Sequence, residues 1–138
     1  MRGAVGGQEV DGQEMSTLAW VAFVAAGAVG ALVRYLADGL VADRTKGAFP
    51  WGTFLINVTG SLLLGVLSGL TLYHAFPTTP EVVLGTGFCG AYTTFSTFTF
   101  ETVRLLEEGA LADAFRNAVG TLLTGAAAAA AGVALAAL

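Results

Sequence analysis

Charge is scarce in this chain and unevenly placed. Of 138 residues only 12% are charged against 55% hydrophobic, and the mean hydropathy is +0.74, far outside the habit of soluble domains. Four runs contain no Asp, Glu, Lys, Arg or His at all: Thr17 to Val33, Gly52 to Tyr73, Val82 to Phe100 and Asn117 to Leu138. Small proton-coupled multidrug exporters need a carboxylate inside the membrane, usually in the first helix, to exchange protons against cations. No such acid exists here, and that class is excluded. Histidine is limited to His74 at a helix end, and paired acids are missing from the runs, so nothing calls for an enzyme or a redox subunit. Cys89 is the only cysteine, which rules out an intramolecular disulfide and leaves the redox compartment open.

What is present is apolar length. Each charge-free run can cross a hydrocarbon core of roughly 30 Å as a helix, for which about 20 residues suffice. The pattern predicts an all-α membrane protein of four helices, over about 17–40, 52–75, 81–106 and 112–138, with short connections and no room for a soluble domain. One copy has little interior in which to enclose a path, so a homo-oligomer or a partner subunit is expected. Residues 1–16 carry Arg2 beside Glu9, Asp11 and Glu14, which argues against a cleavable basic leader and predicts a disordered acidic tail. The net charge of −4 comes largely from this tail and from Glu107 and Glu108, and it implies no nucleic-acid surface.

The distribution of Lys and Arg biases orientation only weakly. Arg44, Lys46, Arg104 and Arg116, with Arg34 near the end of the first helix, fall on one side, and Arg2 on the other. The count favours termini facing outward. So small a margin is compatible with insertion in both orientations, or with pairing to an oppositely biased subunit.

The segment from Gly87 to Glu101, GFCGAYTTFSTFTFE, concentrates the polar groups. Thr93, Thr94, Ser96, Thr97 and Thr99 place five hydroxyls inside an uncharged span, interleaved with phenylalanines. Hydrocarbon offers no hydrogen-bond partner, so polar groups at depth face protein or water and often mark an ion path. Gly85, Gly87 and Gly90 weaken the helix before them, and a break there frees carbonyls, around Gly90 and Thr93, able to hold a small hard cation such as Na⁺. Beyond the break, Phe95 and Phe98 are three apart and share a helix face. Their positive ring edges can face an anion, with Thr94, Ser96 and Thr97 as hydroxyl donors beside them.

Elsewhere, Ala26, Gly30 and Arg34 in the first helix, and Asn57, Ser61, Gly65 and Gly69 in the second, recur four apart. Such small-residue stripes let helices approach closely. Asn57 either bonds a neighbouring helix or offers its N–H donors to an anion. Arg34, one turn before Asp38, is expected to form an ion pair within or between helices with its head at the interface; the alternative is a charge drawing anions into an aqueous vestibule.

GAVGALVRY (Gly27 to Tyr35), GTFLINVTGSLLLG (Gly52 to Gly65) and GFCGAYTTFSTFTFE together closely resemble the CrcB/Fluc fluoride channels of microbial membranes. The resemblance covers nearly the whole chain beyond the tail, with TTFSTF its most specific part. It implies a four-helix subunit with a broken third helix, assembled as a dual-topology antiparallel dimer with two fluoride pores and a central structural Na⁺, in the plasma membrane. A homodimer is implied, with a heterodimer of oppositely oriented paralogues as the alternative. By position, the cation carbonyls fall on Gly90 and Thr93, the pore phenylalanines on Phe95 and Phe98, the pore asparagine on Asn57 and the hydroxyl track on Ser96 and Thr97. Along the fourth helix Thr121 and Thr124 are available, of which Thr121 is assigned to the pore. Ala91 stands where many members have a second glycine and Thr99 where many have serine. The implied function is passive export of cytoplasmic fluoride, without covalent chemistry. A proton-coupled fluoride antiporter is disfavoured because mid-membrane acids are absent from all four spans.

Overall fold

A computed structural model describes residues 15–138 and is helical throughout, with no strand among the described residues. The expected acidic tail lies outside the described residues except for its last two. Of those, Ser16 caps α1 (Thr17–Ala42), its hydroxyl accepting from the Ala19 amide at 3.2 Å. α2 spans Trp51–His74 and stops at Ala75, whose left-handed φ of 50° turns the chain toward Pro77. α3 covers 78–92, α4 Phe95–Glu107 and α5 Leu111–Leu135. Of these, α1, α2 and α5 are each long and apolar enough to cross a membrane.

The expected third helix is in two pieces. The glycine-rich stretch does not itself break it: Val82–Cys89 stays helical but winds in wide π turns, a form often found at functional sites. The helix gives way at Thr93 and Thr94, whose backbones are extended, with ψ of 162° and 124°. A second π stretch, Arg116–Gly120, lies inside α5.

Glycines set the packing. Gly30 of α1 sits on the backbone of Phe88, and Gly87 of α3 sits against the Phe23 carbonyl, so α1 and α3 run parallel with their backbones touching. On the other side Ser61 faces Gly125, Gly65 faces Ala129 and Gly69 faces Val133, one turn at a time, so α2 and α5 also run parallel. Where lipid is as apolar as leucine, such close van der Waals approach, rather than burial from water, drives helix association. At one end of this pair His74 Nε2 lies 2.7 Å from the Ala136 carbonyl.

A side chain at Gly65 would meet the Ala129 backbone, whereas one at Gly39 would meet nothing. Gly65→Val is therefore expected to destabilise the fold by about 1–3 kcal/mol, the usual cost of overpacking. Gly39→Ala is expected to be neutral or slightly stabilising. Thermal unfolding followed by circular dichroism in detergent measures both.

Candidate functional site

The broken helix is braced from α2. The Asn57 carboxamide, half-buried, makes two bonds to one residue: its Oδ1 accepts from the Thr94 amide at 2.8 Å and its Nδ2 donates to the Thr94 carbonyl at 3.0 Å. Extended backbone inside a membrane needs such partners. Of the two roles open to Asn57 in the sequence, the structure shows the bond to a neighbouring helix segment, and it leaves one N–H of the amide for another ligand.

Because the Thr94 amide turns to Asn57, it does not return to the Gly90 carbonyl four residues earlier, and that oxygen loses its usual helical donor. The Thr93 amide and hydroxyl instead both donate to Cys89, at 2.9 and 3.0 Å. The Thr93 carbonyl accepts from Arg34 Nη1 at 3.3 Å. This corrects the expectation of an Arg34 ion pair: Arg34 makes none among the described residues. Its long side chain reaches the break from α1, while the Asp38 carboxylate lies over Gly52, where the positive end of the α2 dipole favours it.

A cavity of about 490 Å³ opens along the break. Asn57, Gly90, Thr93, Phe95, Phe98 and Thr121 all line it, so six of the eight residues that the family resemblance assigns to the pore and the cation meet at one place. The Phe95 and Phe98 rings stand 5.8 Å apart, centroid to centroid, tilted by 40°. Phe95 is 77% exposed although it borders the cavity, and a side chain at Gly90 would meet nothing within 4 Å. This wall is open in a single copy of the chain.

Ser96 and Thr97 do not line the cavity. They gather instead around Thr94, which caps α4: its Oγ1 accepts from the Thr97 amide at 3.2 Å, donates to Thr97 Oγ1 at 3.1 Å, and lies 3.3 Å from Ser96 Oγ. Thr124 also lies elsewhere, bonded to its own helix through the Gly120 carbonyl. Ser61, read in the sequence as part of a packing stripe, and Thr86, which the sequence reading did not single out, add lining hydroxyls.

It also missed Asn117, which is fully enclosed. Its Nδ2 donates to Thr102 Oγ1 at 2.8 Å and reaches the Phe98 carbonyl at 3.4 Å, while its Oδ1 accepts from Thr121 Oγ1 at 3.3 Å. Asn117 thus ties the second phenylalanine's backbone to the threonine opposite it. The arrangement as a whole offers an ion two aromatic rings, a few neutral donors and no cationic side chain among the lining residues. Neutral donors suit an anion that must also leave.

The CrcB-like protein, Camphor Resistance (CrcB) family model matches residues 21–133. Among curated proteins, the chain is 48% identical over 114 residues to fluoride-specific ion channel FluC 1 of Streptomyces avermitilis, covering 83% of this chain and 92% of the relative. It is likewise 48% identical over 122 residues to a FluC 1 of Frankia casuarinae, covering 85% and 95%. A FluC 2 of Moorella thermoacetica is 40% identical over 108 residues, covering 78% and 88%.

Proposed function

The chain belongs to the CrcB family, whose curated relatives are fluoride-specific ion channels, and from that premise we propose that it conducts fluoride passively out of the cell as a dual-topology dimer in the plasma membrane. The observation that carries this reading is the cavity at the break, where Asn57, Phe95, Phe98 and Thr121 converge without a fixed charge. α3 and α4 together act as one interrupted span, so that the subunit crosses the membrane four times. The α1–α3 and α2–α5 pairs, each internally parallel, are consistent with an up-down-up-down order.

Fluoride would shed water at the cavity mouth and pass the remaining Asn57 N–H, with Thr121 opposite at the same level of α5, and the rings of Phe95 and Phe98. Small size and strong hydration make fluoride demanding of donors. A narrow path with several neutral ones replaces its shell without trapping it, whereas a lysine or arginine beside the ion would hold it. The exposed Phe95 and the open face at Gly90 call for a second copy to close the wall. Homodimer is the simpler assembly, and a paralogous partner of opposite orientation would satisfy the same geometry.

The Gly90 and Thr93 carbonyls fit a structural Na⁺, as hard oxygen donors released by the break. One copy offers these two, one of them shared with Arg34, whereas hard cations take roughly six oxygens, so a second copy would have to contribute. A bound Na⁺ would supply positive potential near the anion path and tie the two broken helices together.

The test is fluoride efflux from liposomes holding the purified chain alone, followed with a fluoride electrode, against a chloride control and across an imposed proton gradient. Rapid fluoride-selective efflux indifferent to the gradient is expected. Efflux that follows the proton gradient would replace the channel with an antiporter. Silence from well-inserted protein would overturn the homodimer and direct the search to a partner subunit.

A further inference from the structure

A second cavity, of about 550 Å³, opens where the loop between α1 and α2 meets the start of α5. Lys46, Phe49, Trp51, Phe54, Arg116 and Thr124 frame it, with Asp113 at the rim. None of these residues lines the cavity at the helix break. Lys46 makes no ion pair among the described residues, and Arg116 is paired with Asp113 at 3.2 Å. The rim therefore carries one net positive charge.

The cleft changes polarity with depth. The charge-free runs of α2 and α5 begin at Gly52 and Asn117, so Lys46, Asp113 and Arg116 stand at headgroup level. Thr124 lies eight residues along α5 from Arg116, roughly 12 Å deeper at helical rise. Phe49, Trp51 and Phe54 form a mutual cluster with centroids 4.7, 5.7 and 5.8 Å apart; with Ser61 facing Gly125, Phe49 and Trp51 stand at the Arg116 level and Phe54 just below it, as suits the aromatic belt of a membrane interface. Gly120 keeps the floor open, since a side chain there would meet nothing within 4 Å.

We infer that this cleft binds a glycerophospholipid, its phosphodiester on Lys46 and Arg116 and an acyl chain running down past Phe54 and Thr124. A free phosphate would use the rim and leave the aromatic and apolar depth unfilled, while a lipid uses both. The Asp113 carboxylate selects further, because it opposes a second negative charge on the ligand and favours a singly charged diester. The inference rests on the membrane setting and not on the fluoride reading, so the failure of either leaves the other standing.

Native mass spectrometry of the purified full chain, released from detergent micelles doped with phosphatidylglycerol, tests it. Wild-type protein is expected to carry bound lipid. Lys46→Gln and Arg116→Gln are each expected to weaken binding about fivefold, the scale of one surface cation on an anionic lipid. Gly120→Leu, which fills the floor and leaves every charge in place, is expected to abolish the adduct. Arg44→Gln is expected to change nothing, because Arg44 is not part of the cleft and donates to the Leu40 carbonyl of its own helix at 2.8 Å. Circular dichroism confirms that each variant is folded. Undiminished lipid on the Lys46/Arg116 double variant would overturn the site, as would equal loss from Arg44→Gln. Displacement by inorganic phosphate would reduce it to an ion site, and a lipid-free wild-type dimer would give the cleft to the second copy.

Discussion

Phe98→Ile is expected to slow fluoride efflux about tenfold or more while leaving the protein folded and its size-exclusion profile unchanged. A tenfold change corresponds to about 1.4 kcal/mol in the barrier. Quadrupole interactions of a single ring are of that order, about 0.5–1.5 kcal/mol before the gain from desolvation. Isoleucine keeps the bulk and the dryness of the wall and removes only the positive edge, so a loss of flux reports electrostatics rather than a collapsed cavity. The fold is expected to tolerate the change because the Phe98 backbone, not its ring, is held by Asn117. Phe95→Ile gives a second reading. Its ring is 77% exposed in a single copy, so an effect as large as that of Phe98→Ile would mean that the ring meets the path only after assembly. Liposome efflux rates beside size-exclusion profiles measure both variants, and unchanged flux in both would remove the rings from the ion's route.

The helices were legible in the sequence because their signal is local. Absence of charge over some twenty residues is a property of each run by itself; α2 follows its run closely, while α1 and α5 contain most of theirs and extend past one end into charged residues. The interruption of the third helix was legible in kind and, through the carbonyls expected free around Gly90 and Thr93 ahead of Phe95, nearly in place; the part played by the glycines was not. Glycine density pointed to Gly85, Gly87 and Gly90, yet the wide turns there remain helical, and the chain departs at Thr93 and Thr94. The reason is tertiary. Gly87 is small because the Phe23 carbonyl of α1 lies against it, and no pattern within the segment reveals a neighbour some sixty residues away. Thr94, by contrast, has a local signal: a threonine whose hydroxyl can reach the amide three residues on is a helix N-cap. That same signal accounts for Ser96 and Thr97, whose hydroxyls serve the cap.

The candidate site divides along the same line. Asn57, Phe95, Phe98 and Thr121 could be singled out because polar and aromatic groups stand out in an apolar span, and the cavity brings them together. Their partners could not. Arg34 had an acid one turn away on its own helix, and local logic paired the two. The structure sends Arg34 across to the Thr93 carbonyl and Asp38 to Gly52, because side chains near a break are drawn to unpaired backbone. Asn117 was readable by the argument applied to Asn57, a carboxamide where lipid offers no partner. It stands at the boundary of its run, where exposure to water is the usual expectation.

Asn57→Leu is expected to have the largest effect on stability of any single change at the site. Leucine matches the size of the carboxamide but leaves the Thr94 N–H and C=O both without partners in a region that water does not reach freely. Each orphaned group costs about 1–3 kcal/mol, so a loss of roughly 2–6 kcal/mol is expected, enough to lower the thermal midpoint sharply and deplete the assembled form. Asn57→Asp separates bracing from conduction. A carboxylate still accepts from the Thr94 amide, recovering one of the two bonds, but it turns a second oxygen toward the Thr94 carbonyl and puts a negative charge on the wall of an anion path. It is expected to unfold at a temperature between wild type and Asn57→Leu, yet to conduct no fluoride at any pH where the acid is ionised. The two measurements, thermal unfolding and efflux, therefore rank the variants differently if Asn57 has both roles. Wild-type stability in Asn57→Leu would remove the brace, because two unpaired backbone groups at that depth cannot be free of cost. Wild-type efflux in Asn57→Asp would remove the donor, because an anion does not pass a like charge held within hydrogen-bonding distance of its path.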